Sequence, residues 1–316
     1  MRLSRRDLVK LGAGAGVSLG LGWRPTVGQT KPLIQKPIPS SGEMIPVVGI
    51  GTARRYNVET EAELAPIREV LRRYPDLGGR LIDTAPGYGR AETVVGRLVN
   101  EIGNRDRMFL ATKVAVGGRR GQPGGDTIQA GKDQMERSMR LLHTDKIDLM
   151  QVHNLRDVDT QLGTLQEWKQ DGRIRYLGIT STSSRQYEAF ERVMREYELD
   201  FVQMAYTIDN RGVEERLLPL AADRGMAVLV ALPYGRGRVF RAVGGLDSPL
   251  PDWAAEIDCE SWGQFFLKWI VSHPSVTCAI PGTAKVSYLI DNHGAARGRL
   301  PDAGMRHRML EFFEGL

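Results

Sequence analysis

Eight short apolar runs alternate with segments of helical periodicity along this chain, and that alternation narrows the possible folds more than any other feature. The apolar runs occupy residues 47–51, 81–85, 109–114, 147–153, 176–180, 201–206, 227–232 and 277–281. Between them, residues 92–102, 129–142, 162–170 and 214–222 repeat apolar side chains three and four positions apart, as an amphipathic helix requires. Strands that are apolar almost throughout are buried on both faces. Strands alternating with helices build a parallel sheet covered by helices.

Two parallel architectures satisfy this pattern. An open, doubly wound sheet usually carries a G-x-G-x-x-G turn after its first strand, and Gly49-Ile50-Gly51-Thr52-Ala53-Arg54 lacks the third glycine. The count of eight favours a closed (β/α)8 barrel of the TIM type, with its active site at the C-terminal ends of the strands. Residues 31–316 are enough for one such domain, since a barrel takes about 250 residues. The Ser40-Ser41-Gly42 turn predicts a β-hairpin ahead of the barrel. A short helical tail is expected over 301–316, with Met309, Leu310, Phe312 and Phe313 on one side.

Residues 1–30 read as a separate segment. Ser4-Arg5-Arg6-Asp7-Leu8 precedes a weakly apolar, Gly- and Ala-rich run, the form of an export leader. Its adjacent arginines resemble the twin-arginine (Tat) motif, which predicts the Tat export machinery as a partner and a periplasmic destination. An uncleaved leader serving as a membrane anchor is the other reading. The formal charge of +5 is concentrated here, where Arg2, Arg5, Arg6, Lys10 and Arg24 face only Asp7. The barrel itself is close to neutral, so no nucleic-acid partner is expected. Two cysteines, Cys259 and Cys278, form no C-x-x-C or Cys/His cluster, and no metal site is expected. A monomer or weak oligomer is anticipated.

Four polar residues stand at or just after strand ends: Asp83, Tyr88, Lys113 and His153. An Asp or Lys inside an apolar strand is costly unless it is paired, and opposite charges on adjacent strands can pair at the barrel mouth. A phenol with a pKa near 10 is a reluctant acid. A neighbouring ammonium lowers that pKa by stabilising the phenolate, and Asp83 would hold the lysine in place. His153 can add a hydrogen bond to a carbonyl oxygen, as in an oxyanion site. Together these residues predict proton delivery to a carbonyl.

The segment Asp83-Thr84-Ala85-Pro86-Gly87-Tyr88-Gly89-Arg90-Ala91-Glu92 resembles the aldo/keto reductase signature D-T-A-x-x-Y-G-x-[SA]-E. Residues 137–149 (RSMRLLHTDKIDL), 172–179 (GRIRYLGI) and Ile280-Pro281-Gly282-Thr283 with Asn292 are similar to further elements of that family, in order along the chain. The resemblance implies an oxidoreductase that uses NADPH, with NADH as the alternative, to reduce a small carbonyl substrate. In that reading Tyr88 donates the proton, Lys113 and Asp83 tune it, and His153 orients the carbonyl. The implied cofactor residues are Gly51 and Thr52, Thr180 and Ser181 (where the family has Ser-Asn), and Gln203. Further along they are Pro233, Gly235, Arg236 and Gly237, then Gly282, Thr283, Lys285, Asp291 and Asn292. The family's Tyr-Ser-Pro is replaced here by Ala231-Leu232-Pro233, with Tyr234 close by. Arg54 and Tyr56, after the first strand, are expected to face the substrate. A low-turnover, cofactor-binding redox sensor is the competing function. A (β/α)8 hydrolase would need paired carboxylates or metal ligands at strand ends, and the sequence offers neither.

Overall fold

A computed structural model describes residues 31–116 and 127–316. The leader sequence lies outside these residues. The first elements are a two-stranded antiparallel hairpin, β1 (Gln35–Pro37) and β2 (Met44–Pro46). Its turn contains Gly42 at φ 75°, in the left-handed region that a side chain would strain.

Parallel strands and helices then alternate: β3 (Ile50–Gly51), α1 (Glu61–Arg73), β4 (Leu81–Asp83), α2 (Ala91–Ile102), β5 (Phe109–Val114) and α3 (Thr127–Leu141). Next come β6 (Ile147–His153), α4 (Val158–Gln170), β7 (Ile174–Ser181), α5 (Tyr187–Glu196), β8 (Phe201–Ala205), α6 (Leu217–Asp223) and β9 (Ala227–Ala231). The chain ends with α7 (Arg238–Ala242), α8 (Trp262–Val271), β10 (Cys278–Ala279), α9 (Val286–Gly294) and α10 (Ala303–Glu314). Strands β3 to β10 pair in chain order as one parallel sheet. Single bridges from Val48 to Ala279 and from Gly51 to Gly282 join its two edges. The fold is the (β/α)8 barrel expected from the sequence.

Alternation along each strand divides the core in two. One apolar cluster lies between the sheet and the helices. The other lines the barrel interior and includes Leu81, Phe109, Leu149, Tyr176, Phe201 and Leu229. Ile38 and Ile45 of the hairpin belong to this interior cluster and have no exposed surface. The hairpin therefore plugs the N-terminal end of the barrel. Lys36 fastens it by donating to the carbonyls of His273 (2.8 Å) and Val276 (2.6 Å). Glu43 accepts from Arg80, Arg175 and Tyr176. At the other terminus α10 packs on the barrel as its apolar spacing suggests. Met309 is buried, Phe312 stacks on Trp262, and Phe313 meets Phe266 edge-on.

Candidate active site

With the hairpin across one end, the interior faces the C-terminal ends of the strands among the described residues. There β4, β5 and β6 bring Asp83, Lys113 and His153 together, and the turn after β4 adds Tyr88. Lys113 has no exposed surface. Its Nζ donates to Asp83 Oδ1 at 2.7 Å and to the Thr84 carbonyl at 2.8 Å. The same ammonium lies 5.2 Å from the centre of the Tyr88 ring, and Tyr88 meets His153 edge-on at 5.9 Å. All four side chains predicted to act together do converge.

Their electrostatics differ from the expectation in one respect. Burial is the dominant influence on Tyr88 and pushes its pKa up; the pull of Lys113 only partly opposes it, and the Asp83 charge adds to the rise. Tyr88 is therefore held firmly as a phenol, whereas the sequence reading weighed the ammonium alone. Burial raises Asp83 despite the attraction of Lys113. Lys113 is raised because Asp83 and Tyr88 together outweigh its own burial. His153 is lowered to about 4, first by burial and then by Lys113 and Arg156, and is neutral at ordinary pH.

His273 and His293 are also held at about 4, chiefly by burial. An unfolded chain would protonate all three near about 6.5. Their contribution to stability is complete above that pH and is lost as pH falls from about 6.5 towards 4. Scanning calorimetry through this window should show a falling unfolding midpoint. His293→Gln, which removes one of the three, should make the fall shallower.

Beside the tetrad, the loops after β3, β9 and β10 enclose a cleft of about 610 Å³. Arg54, Pro233, Arg236, Gly237, Gly282, Lys285, Asp291 and Asn292 line it, all of them singled out in the sequence. Arg55, Leu232, Tyr234, Phe240, Leu246 and Tyr288 also line it. No acid within ion-pair distance of Arg54, Arg55, Arg236 or Lys285 is found among the described residues, although most arginines of the chain have one. The one acid of the cleft, Asp291, accepts from Ser261 (2.7 Å) and Gln264 (3.0 Å). A cationic cleft with glycines and aromatic walls has the chemistry to hold a phosphate-bearing, ring-containing molecule, and the volume falls within the usual range for such sites.

Other sequence candidates stand behind the wall of this cleft. Gly51 lies close against the segment that follows β10: a Cβ there would come within 2.7 Å of the Ile280 carbonyl oxygen. Thr52 is buried, with its hydroxyl on the Asp83 carbonyl. Gly235, at φ 52°, shapes the turn that presents Arg236. Thr283 accepts from Asn292, and Asn292 in turn accepts from Tyr234 (2.6 Å), so these three form one brace. Tyr234 therefore has its hydroxyl engaged. Of the pair that ends β7, Thr180 faces the interior level with His153, while Ser181 points to the helix side and bonds Gln186 at 2.6 Å. Gln203 lies inside the barrel with its amide on Asp83 and Gln151.

Tyr56 corrects the sequence reading. It has no exposed surface, and its hydroxyl donates to the Thr283 carbonyl at 3.0 Å. A substrate cannot touch it; it anchors the loop that carries Arg54. Cys259 and Cys278 are both buried free thiols.

Comparison with known proteins agrees with this fold. The model of the Aldo/keto reductase family matches residues 47–307. Aldo-keto reductase YhdN of Bacillus subtilis (strain 168) is 34% identical over 193 residues, covering 59% of this chain and 54% of the relative, so the chain spans about half the length of that protein. Methylglyoxal reductase YeaE of Escherichia coli (strain K12) is 28% identical over 274 residues, covering 85% of this chain and 92% of the relative. Among solved structures, an aldo-keto reductase from Bacillus halodurans in its holo form superposes with a TM-score of 0.72 at 23% identity, covering 89% of this chain and 96% of that one. An aldo/keto reductase from Klebsiella pneumoniae in complex with NADP and acetate gives 0.69 at 23% identity, with the same coverage of both chains. The structural likenesses speak for the barrel, and the family match extends from its first strand into α10. The chain belongs to the aldo/keto reductase family.

Proposed function

We propose that this protein is an NADPH-dependent reductase of small aldehydes or ketones, with Tyr88 as the proton donor. One observation carries the reading: a buried Lys113–Asp83 pair at 2.7 Å, set beside the ring of the half-buried Tyr88. Such a pair is costly to bury and leaves a fixed positive charge where a carbonyl oxygen would become negative. A bound nicotinamide cofactor supplies the hydride.

This chain's own residues account for the proton. Tyr88 keeps its phenolic proton until a carbonyl oxygen at the mouth gains charge, and then donates it. Lys113 stabilises the phenolate left behind. Neutral His153 offers a ring nitrogen that orients the carbonyl without adding a second charge. Thr180 and the cleft residues Arg54, Arg55, Arg236 and Lys285 would hold the cofactor and the anionic end of a substrate. The relative solved with NADP supports the phosphorylated cofactor, and the surplus of cations in the cleft favours it over NADH.

The test is rapid mixing of the purified full chain, preloaded with NADPH, with reactive aldehydes. The reading expects single-turnover oxidation of the bound cofactor. Tight NADPH binding with no oxidation by any aldehyde would favour a sensor instead. We further infer that residues 1–30 direct folded export by the twin-arginine route, on the strength of Arg5-Arg6 ahead of a weakly apolar run. A barrel exported folded can carry its cofactor with it, so periplasmic protein should co-purify with nucleotide.

A further inference from the structure

The interior polar groups extend one step beyond the tetrad. Gln151 lies on β6 two residues before His153 and so shares its interior face. It has no exposed surface, in a strand whose neighbours Met150 and Val152 are apolar. Its Nε2 donates to Gln203 Oε1 at 2.8 Å. Gln203 Nε2 in turn donates to Asp83 Oδ2 at 3.5 Å, the outer limit of a hydrogen bond. The other oxygen of that carboxylate takes the Lys113 ammonium.

The direction of this chain of amides is forced. An ionised carboxylate only accepts, so Gln203 must turn its NH2 towards Asp83. The Gln203 oxygen then faces Gln151, which must also present its NH2. Gln151 Oε1 is left at the end, buried and with no hydrogen-bond partner. An orphaned buried acceptor costs free energy, and an apolar residue at this position would avoid that cost. Gly178 of β7 pairs in register with Gln151 and contributes no side chain to the interior, leaving the path from β6 to β8 open.

We propose that Gln151 is a positioning residue: by holding Gln203, it fixes the second oxygen of Asp83 and keeps the Asp83–Lys113 pair charged and in place beside Tyr88. This rests on the reductase reading above. The titratable groups facing Asp83 are Lys113 of β5, Tyr88 of the turn after β4 and Cys278 of β10. Among these only Lys113 favours its charge, and the two glutamines add to that. Loss of the amides leaves burial less opposed, and the Asp83 carboxyl moves up.

The test is Gln151→Met in the full chain, which keeps the length and removes the donor. The Asp83 carboxyl carbon, identified by its loss in Asp83→Asn, is followed by 13C NMR as pH is varied. Its titration should move to higher pH by about one unit. In the reductase assay the acid limb of kcat should move the same way. At neutral pH kcat should fall about tenfold, with the carbonyl KM unchanged. Combining Gln151→Met with Gln203→Met should add little to Gln203→Met alone, because Gln151 reaches Asp83 chiefly through Gln203. If Gln151→Met does not fold, Gln203→Met breaks the same link from its other end and is read by the same NMR titration. An Asp83 titration identical to wild type in the folded variant overturns the proposal. The NMR readout needs no turnover, so a wild type inactive on every carbonyl would sink the reductase reading and leave this test intact.

Discussion

Tyr88→Phe is expected to lower kcat for carbonyl reduction by about 10²–10⁴-fold, the range for removing a positioned general acid, with the Kd for NADPH unchanged. The substitution removes one oxygen and keeps the ring. The edge-on contact with His153 at 5.9 Å and the placement over Lys113 at 5.2 Å do not depend on the hydroxyl. A loss confined to kcat therefore isolates proton delivery from packing. Stopped-flow oxidation of bound NADPH measures it directly. A Tyr88→Phe enzyme that reduces aldehydes at the wild-type rate would exclude Tyr88 as the donor, since no other phenol is placed on the tetrad.

Asp83→Asn should be the most destabilising change at the site, by about 3–5 kcal/mol, because it leaves the Lys113 ammonium buried without its carboxylate. Urea unfolding of the full chain measures this. Asp83→Leu combined with Lys113→Met removes both charges and should recover much of the lost stability, while activity stays absent. That separation identifies the ion pair as serving chemistry more than folding. Recovery of turnover in the double variant would contradict it.

How much of this was legible in the sequence differs from element to element. Strand β6 (Ile147–His153) has the predicted limits, because six successive residues buried on both faces, ending on the half-buried His153, leave a continuous signal. The closing strands were less legible. Runs 47–51 and 277–281 looked like full strands, yet regular pairing is limited to Ile50–Gly51 and Cys278–Ala279. Around them, Val47 bonds Ile34 of the hairpin region, and Pro281 has only a carbonyl to offer. Apolar character marks burial and does not report how many ladder bonds a segment makes.

In the site, the tetrad was readable because charge inside an apolar strand needs a reason. Gln151 carried the same signal, a polar residue between Met150 and Val152, in weaker form because an amide is neutral. Tyr56 misled for the opposite reason: adjacency to Arg54 in sequence says nothing about which way a loop turns each side chain. Ser181 and Thr180 look equivalent as a pair, but strand alternation sends one hydroxyl inward and the other to the helix layer. Leu232 enters the cleft from a left-handed backbone, φ 54°, which nothing in its side chain announces.

The hairpin plug gives the barrel a vectorial character. With Ile38 and Ile45 filling the base and the buried Asp83–Lys113 pair at the other end, the polarity of the barrel interior rises in one direction along its axis. Among the described residues, Ile38 and Ile45 close the rear of the interior. In the proposed reaction, each proton that leaves Tyr88 would be replaced through the same opening that admits the carbonyl and releases the alcohol. Reprotonation and product exit therefore share one channel and must take turns, and a solvent isotope effect should depend on how long the product lingers at the mouth.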